Sequence, residues 1–595
     1  MFQEPDFRES LSLMLSEVLD DIELNERRVI RGRKVNMLRE TMSNLTLRST
    51  GVNETTHYLG SHSECTTTIG LQSDFDQLFC SHQFNIIGNW SEWEHGKENY
   101  LLIQDENTTP GYCFLQLLRS DEPKPATVIP DEYNIIDRRG RIMFKNTMKT
   151  DFLQGGEEQH GPSIASQGQH GICDRDRVLA FPCKSWPQSA SGWLERYGMG
   201  RWPTQKMKIY AASTPCFVVP TGSKVSVNPE LEWRISTSLA ERCLIFNLNI
   251  TQIRCYVLMK MILKSFLNPQ GQKNISSYMC KTVLLHCIEN TELSIWNENN
   301  LLTCLTYCFL KLHSCVKNAH CSHFIISENN LMAGQFTADV KQELLEKISD
   351  FIQNDGQMLL GIDIDDLGCK IQAKLNIVPQ RAYDFPSSRL ISERLSTLEY
   401  INIANHISVN NRQILNDLHN KNIRIMKQTV ERLLSYSKYG NRIEHVSCKL
   451  LTPFLFTTYG SALASSSIRD TNQMSPEALI WLSAGLNSDI SSSRLKLASM
   501  FYRTGYMEKA ELILRHTERP IYFYPILAVC GCWERPQPVV TVEFIKVCNE
   551  QNEDCIKHIT AFCVRFIQEE INCVPRELQY EMFRSTQDDM LHRNH

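Results

Sequence analysis

The sequence predicts an α+β protein, in which a mixed sheet comes first, a helical lobe follows, and a helical C-terminal region closes the chain. Three observations predict it. Between residues 84 and 118, short runs rich in β-branched and aromatic residues (84–87, 100–103, 111–118) alternate with turn residues, as strands do. From 251 to 317, three apolar segments (251–266, 275–290, 299–317) are too long for strands and read as helices. After 393 the apolar positions recur at helical spacing.

Composition sets the bounds. The 595 residues are 42% hydrophobic and 22% charged, ordinary for a water-exposed globular chain and enough for two to four domains. A net charge of −5 excludes a wholesale basic nucleic-acid binder, so any such surface must be local. The first residues mix acids with apolar side chains and lack a basic secretory n-region. No apolar run reaches membrane-spanning length; VLMKMILKSFL is broken by Lys260 and Lys264. The expectation is a cytoplasmic protein without membrane contact, its sequons, such as those at Asn44 and Asn249, unused. Its 22 cysteines then read as reduced thiols, and no CxxC pair offers a simple zinc site.

In chain order, 7–42 reads as one long helix with an apolar stripe from Leu11 to Leu24. In its second half Arg27, Arg31 and Lys34 share a face, which suits either a phosphate backbone or plain solvation. Residues 58–78 come next. Gly60-Ser61 offers a turn whose N–H groups and hydroxyl suit phosphate oxygens. Asp74 and Asp76, two apart on a strand, face the same way and can hold a hard divalent cation. A helix start, a phosphate turn and a two-acid strand are how a nucleotidyltransferase core begins; a polar hairpin with solvated acids is the alternative. Residues 135–148 suggest a strand–turn–strand with a basic tip at Arg138, Arg139 and Arg141. Residues 150–172 read as a loop, its His160 and His170 a poor metal pair. In DRDRVLAFP, Asp174 and Asp176 lie on one strand face; either could add a third carboxylate for a two-metal clamp, and spacing does not choose between them.

Residues 193–222 read as helix, turn and return strand, and LEWRISTSLAERCLI as a strand entering a helix. Ser276 and Ser277 are suitable N-caps, with Lys281 one turn in. His320, Cys321 and His323 sit too close together for a tetrahedral site. A linker is expected near 360, then helices over 393–437 and 477–595. There LASMFYRTGYMEKAELIL resembles one tetratricopeptide repeat, with Gly505 at the turn and Ala510 packing the second helix.

Taken together, GS…SDFD, DRVLAFPCKSWP, LEWRISTSLAE, YVLMK and ISSYMCKT, in that order over about 55–330, resemble the cyclic GMP–AMP synthase-like receptors and their male-abnormal twenty-one (Mab) relatives. The tail resembles only invertebrate members with a helical extension. The resemblance implies a bilobal nucleotidyltransferase fold: a spine helix and N-terminal region over 1–50, a catalytic lobe over 51–240, a helical lobe over 241–345, a linker over 346–392 and a helical, TPR-like region over 393–595. It implies Gly60 and Ser61 as the phosphate turn and Asp74, Asp76 and Asp176 as ligands of two Mg²⁺ or Mn²⁺ ions, Asp176 being preferred to Asp174 for its place three residues before Leu179-Ala180. Arg234, Ser236, Ser238 and Glu241 correspond to acceptor-nucleotide positions. Lys260, Ser277 and Tyr278, and more weakly Lys281, correspond to donor-triphosphate and base-stacking positions. The implied activity joins ATP, GTP or other nucleoside triphosphates into a cyclic dinucleotide for innate immune signalling through a STING-type receptor. A catalytically silent binding or scaffold member, or an adaptor acting through its tail, is the alternative. Three departures stand out: the long gap from Asp76 to Asp176, Arg177 where an apolar residue is usual, and no room between Glu241 and Thr251 for the zinc insertion of DNA-sensing members. The last argues against sensing DNA in the same manner and leaves double-stranded RNA, or a ligand the sequence does not identify, as activator.

Overall fold

The computed structural model describes residues 5–106, 108–148, 158–160, 163–166, 175–198, 201–268, 274–354, 356–377, 386–419, 421–523, 526–529, 556–580 and 582–583. The chain forms two compact units: Met1–Arg33 with His57–Ser388, and Lys34–Thr56 with Arg389–His595.

The first unit is α+β. Among the described residues twelve strands join in one mixed sheet. They are β1 (Glu54–Leu59), β2 (Phe75–Ser81), β3 (Asn85–Ile87), β4 (Asn99–Ile103), β5 (Tyr112–Leu117), β6 (Asn134–Ile136), β7 (Ile142–Phe144), β8 (Glu158–His160), β9 (Ser163–Ser166), β10 (Arg175–Pro182), β11 (Phe217–Val219) and β12 (Trp233–Ser236). Their main order is β1-β2-β10-β11-β12-β5-β4-β3. β2 and β10 run parallel, whereas β10–β11, β11–β12, β12–β5 and β5–β4 are antiparallel. A ladder of rings fastens the sheet: Tyr100 stacks on Phe144 at 4.6 Å and Phe144 on Trp233 at 5.1 Å. The fully buried Trp233 donates its Nε1–H to the Phe144 carbonyl at 3.0 Å. Each such aromatic pair adds about 0.5–1.5 kcal/mol beyond its buried area.

Helices α1 (Pro5–Asp21), α2 (Glu26–Thr50) and α3 (Gly60–Glu64) precede the sheet's centre, and α4 (Gln188–Ser191) and α5 (Gln205–Ser213) interrupt it. The helical part follows with α6 (Ser238–Phe246), α7 (Ile250–Ile262), α8 (Ser277–Glu289), α9 (Leu301–Lys317), α10 (Ala338–Gln353) and α11 (Leu367–Lys374). From Thr251 to Ile262 every residue of α7 is buried, which makes it the central helix of this part.

Three readings from the sequence change here. The long N-terminal helix breaks at Glu23, which has φ 64°, and restarts where Asn25 Oδ1 accepts the Arg28 N–H at 2.9 Å. The linker expected over 346–392 is packed as far as 377. It holds the end of α10 and all of α11, with Leu359, Ile362, Leu367 and Ile371 buried. In addition, part of the expected 150–172 loop forms the β8–β9 hairpin, which pairs with β10. His170 and Asp174 lie outside the described residues, as does the His160 side chain.

The second unit is mainly helical: α12 (Ser388–Leu418), α13 (Ile423–Tyr439), α14 (Arg442–Thr471), α15 (Pro476–Gly485), α16 (Ser492–Arg503) and α17 (Met507–Phe523), with a parallel strand pair β13 (Leu527–Val529) and β14 (Thr560–Phe562). Its core includes Leu38 and Met42 from the N-terminal segment among Tyr400, Ile403, Ile407 and Leu451. The repeat-like segment is a helix–turn–helix, α16–α17, with Gly505 at φ 85° in the turn and Ala510 buried. Among the described residues no helix is long and apolar enough to cross a membrane.

Candidate active site

The centre of the site is one register. In the parallel pair β2–β10, Asp76 lies directly beside Asp176. Equivalent residues of adjoining parallel strands face the same side about 4.8 Å apart, so the two carboxylates are neighbours. Burial first, then repulsion from Asp176 and Asp74, pushes the Asp76 carboxyl up to about 7, against partial relief from Lys281. Asp74 stands one residue ahead of β2 and is exposed, so the strand-alternation argument holds for Asp76 alone. Arg177 follows Asp176 on β10, and alternation turns it to the opposite face.

The junction of β1 and α3 is shaped by glycine. Gly60 has φ 71°, and a Cβ built on it would lie 1.7 Å from Asp76 Oδ2. Short helix α3 then carries Ser61 and Glu64 against the central helix. Lys260 on α7 donates to Ser61 Oγ at 3.1 Å and to the Thr66 carbonyl, with its ammonium over the Tyr256 ring at 4.8 Å. Burial lowers Lys260 to about 7. Lys281, one turn into α8, donates to Glu64 Oε1 at 2.8 Å. Burial alone would push Lys281 down, but Glu64, with Tyr256 and Glu241, raises it above the ordinary lysine value. Arg33 locks the same corner from α2. Its guanidinium donates to the carbonyls of Glu64 at 2.9 Å and of Ile245 and Phe246 at 3.0 Å.

A second group forms where β12 meets α6 and α8. Ser236 Oγ donates to Ser238 Oγ at 3.2 Å, and Tyr278 Oη donates to Glu241 Oε1 at 3.1 Å. Burial and then Glu241 raise the Tyr278 phenol well above its ordinary value, and the Arg234 charge opposes that rise. Ser276, not Ser277, caps α8, accepting the Met279 N–H at 3.2 Å. Ser277 is exposed, and its carbonyl accepts the Tyr256 hydroxyl at 3.2 Å. The positions singled out in the sequence therefore fall into linked groups: Gly60–Asp76–Asp176, Ser61–Lys260, and Tyr278–Glu241 with Arg234.

The candidate ligand surface is less coherent. On α2, Arg27 and Lys34 are exposed and Arg31 is half-buried. Lys34 lies past the boundary of the first unit. The tip between β6 and β7 is basic in sequence but largely neutralised: Asp137 accepts the Arg141 Nε–H at 2.7 Å, and Asp105 accepts from Arg139 at 3.1 Å. Arg138 is exposed. Among the described residues no three His, Cys, Asp or Glu side chains converge as a metal-holding group. Glu64, Tyr256, Arg33 and His323 also join the site, and no motif in the sequence marks them for it. Tyr256 and Lys260 stand four apart on one helix, a spacing that could have flagged the pair.

Residues 251–350 match the model of the Mab-21 protein HhH/H2TH-like domain. Part of the chain is also similar to a protein named cyclic GMP-AMP synthase-like receptor from Tribolium castaneum, 39% identical over 156 residues. That match covers 26% of this chain and 34% of the relative, so about a third of the relative's length is spanned.

Proposed function

Starting from a chain that carries a Mab-21 domain and is a distant, partial relative of a cyclic GMP-AMP synthase-like receptor, we propose that the first unit is a nucleotidyltransferase that joins two nucleoside triphosphates into a cyclic dinucleotide. The observation that carries this reading is the side-by-side register of Asp76 and Asp176 beneath the Gly60 turn. Two carboxylates held together with one of them pushed up to about 7 form a donor set short of positive charge. Hard oxygen donors of this kind fit Mg²⁺ or Mn²⁺, with Asp76, Asp176 and the adjacent Asp74 as the residues that would hold the ions. Bound there, the ions would supply charge stabilisation for in-line phosphoryl transfer.

The chain's own residues bind and orient. Lys260 and Ser61 offer an ammonium and a hydroxyl to a triphosphate, and the Lys281–Glu64 pair ties α3, which carries Ser61, to α8. Arg234, Ser236 and Ser238 offer donors to an acceptor nucleotide, and Tyr278 a ring for base stacking. Atoms balance in each of the two transfers: a ribose hydroxyl oxygen bonds the α-phosphorus, the bond to pyrophosphate breaks, and the hydroxyl proton leaves to solvent. The product is suited to a STING-type receptor. A nucleic-acid activator, double-stranded RNA in preference to DNA, would meet Arg27 and Arg31, because the net-negative remainder repels phosphate. Reversing both to Glu should abolish RNA stimulation while basal Mn²⁺-supported activity stays, and wild-type binding should fall steeply with salt.

The decisive experiment incubates purified full-length protein with labelled ATP, GTP, CTP and UTP, Mg²⁺ or Mn²⁺, and a panel of nucleic acids, then looks for phosphatase-resistant product. A second reading, a silent nucleotide-binding or scaffold member, is favoured by the lack of a converged three-residue metal group among the described residues. It predicts nucleotide binding in the same samples with no product under any condition.

A further inference from the structure

His323 belongs to the HCSH stretch that offered no metal site, yet it sits at the end of a directed chain of hydrogen bonds. Its Nδ1 accepts the backbone N–H groups of Ile325 at 3.1 Å and Ile326 at 3.0 Å. A nitrogen that accepts two N–H groups carries no proton, so the ring is neutral and its proton is on Nε2. Burial likewise pushes the His323 imidazole down. Nε2 lies 2.7 Å from Tyr278 Oη and therefore donates to it. The tyrosine hydroxyl is left to donate its own proton to Glu241 Oε1 at 3.1 Å, where Thr237 Oγ1 also donates at 2.9 Å. Every proton in the chain has one direction.

The anchor is itself rigid. The His323 N–H is bonded to the Asn329 carbonyl at 2.8 Å, and Ser322 bridges to Asn330. Arg196 ties the next residue, donating to the Phe324 carbonyl at 2.8 Å while stacking on its ring. His323 and Glu241 are buried, whereas Tyr278 as a residue is half-buried. The chain thus grips the hydroxyl end of the Tyr278 side chain.

We propose that His323 is a positioning residue, which by donating to Tyr278 Oη holds that ring at the angle needed to stack a purine base. The inference rests on the nucleotide reading above and assigns the HCSH histidine a role in base recognition. Losing the donor lets the ring rotate; the stacking contact weakens while contacts to the phosphates do not.

The test is calorimetric binding to full-length protein of α,β-methylene ATP and GTP, which do not react, beside inorganic triphosphate, which has no base. Wild type, His323→Phe, His323→Gln, Tyr278→Phe and the His323→Phe/Tyr278→Phe double variant are compared. His323→Phe should weaken the analogues about tenfold, the scale of one stacked base, and leave inorganic triphosphate unchanged. Glutamine, whose side-chain N–H₂ can still donate to Tyr278, should recover most of the loss. In the Tyr278→Phe background His323→Phe should add less than about twofold. Equal analogue affinity for wild type and His323→Phe overturns the proposal, as does a matching loss for inorganic triphosphate. If His323→Phe does not fold, Tyr278→Phe decides, since removal of one hydroxyl must reproduce the tenfold loss. Wild type that binds inorganic triphosphate but gains nothing from a base overturns the proposal while leaving the phosphate site standing. Wild type that binds neither removes the nucleotide reading and this inference together.

Discussion

Asp76→Asn should stabilise the metal-free protein, and by an amount that grows with pH. The carboxyl is carried from an ordinary 3.8 to about 7 in the fold. The folded state therefore holds the Asp76 proton more tightly than the unfolded chain does. Its stabilising contribution is whole below pH 3.8, declines as pH rises, and is lost above about 7. At about 1.4 kcal/mol per pH unit, wild type gives up about 1.7 kcal/mol by pH 5 and about 4 kcal/mol by pH 8. Asparagine does not ionise, so its advantage should widen by about 2.5 kcal/mol between those two pH values. Thermal unfolding of both proteins in EDTA at pH 5, 6, 7 and 8 reads this as a gap between melting temperatures that opens by about 5 °C. Millimolar Mg²⁺ at pH 8 should close part of the gap by stabilising wild type alone. A gap that stays constant with pH would refute the reasoning, because burial and the neighbouring carboxylates would then not be raising the Asp76 carboxyl.

The same centre supports sharper tests. Asp176→Ala should silence nucleotide transfer in the labelled-triphosphate assay with the far-ultraviolet circular dichroism unchanged; product at the wild-type rate would remove Asp176 from the site. Gly60→Ala forces a Cβ onto the Asp76 carboxylate at a φ of 71°, so a loss of at least about 1–3 kcal/mol is expected by urea unfolding, together with loss of transfer. Glu64→Gln or Lys281→Met alone leaves one buried charge unpaired and should cost about 3–5 kcal/mol, whereas the double variant should cost much less. Additive losses in that cycle would mean the 2.8 Å pair is not coupled.

What was legible in the sequence follows from the range of the forces involved. The strands around 84–118 and helices α7, α8 and α9 were readable because periodicity and propensity act locally. The side-by-side placement of Asp76 and Asp176 was not, since it depends on strand register across a hundred intervening residues, and spacing alone left Asp174 equally eligible. The break at Glu23 was masked by an apolar stripe that continues to Leu24; only Asn25 signalled a new N-cap. Residues 346–377 looked like a linker because their acids and glycines are conspicuous, while the burial of Leu359, Ile362 and Leu367 comes from tertiary packing that the local pattern does not encode. The HCSH spacing around His323 speaks only to metal binding. The actual partners of that histidine, Tyr278 and Glu241, lie 45 and 82 residues upstream.

The discontinuity of the helical unit bears on how this chain can be made. Residues 34–56 bury Leu38, Met42 and Leu45 in cores otherwise supplied from beyond residue 389. At about 5–20 residues per second, a ribosome needs on the order of 20 s to a minute to bridge that interval. Throughout that time Leu38, Met42 and Leu45 have been synthesised without the core partners they pack against. The nascent chain should therefore engage holding chaperones early and release them late, and a stop codon anywhere before the tail should leave an aggregation-prone N-terminal segment behind.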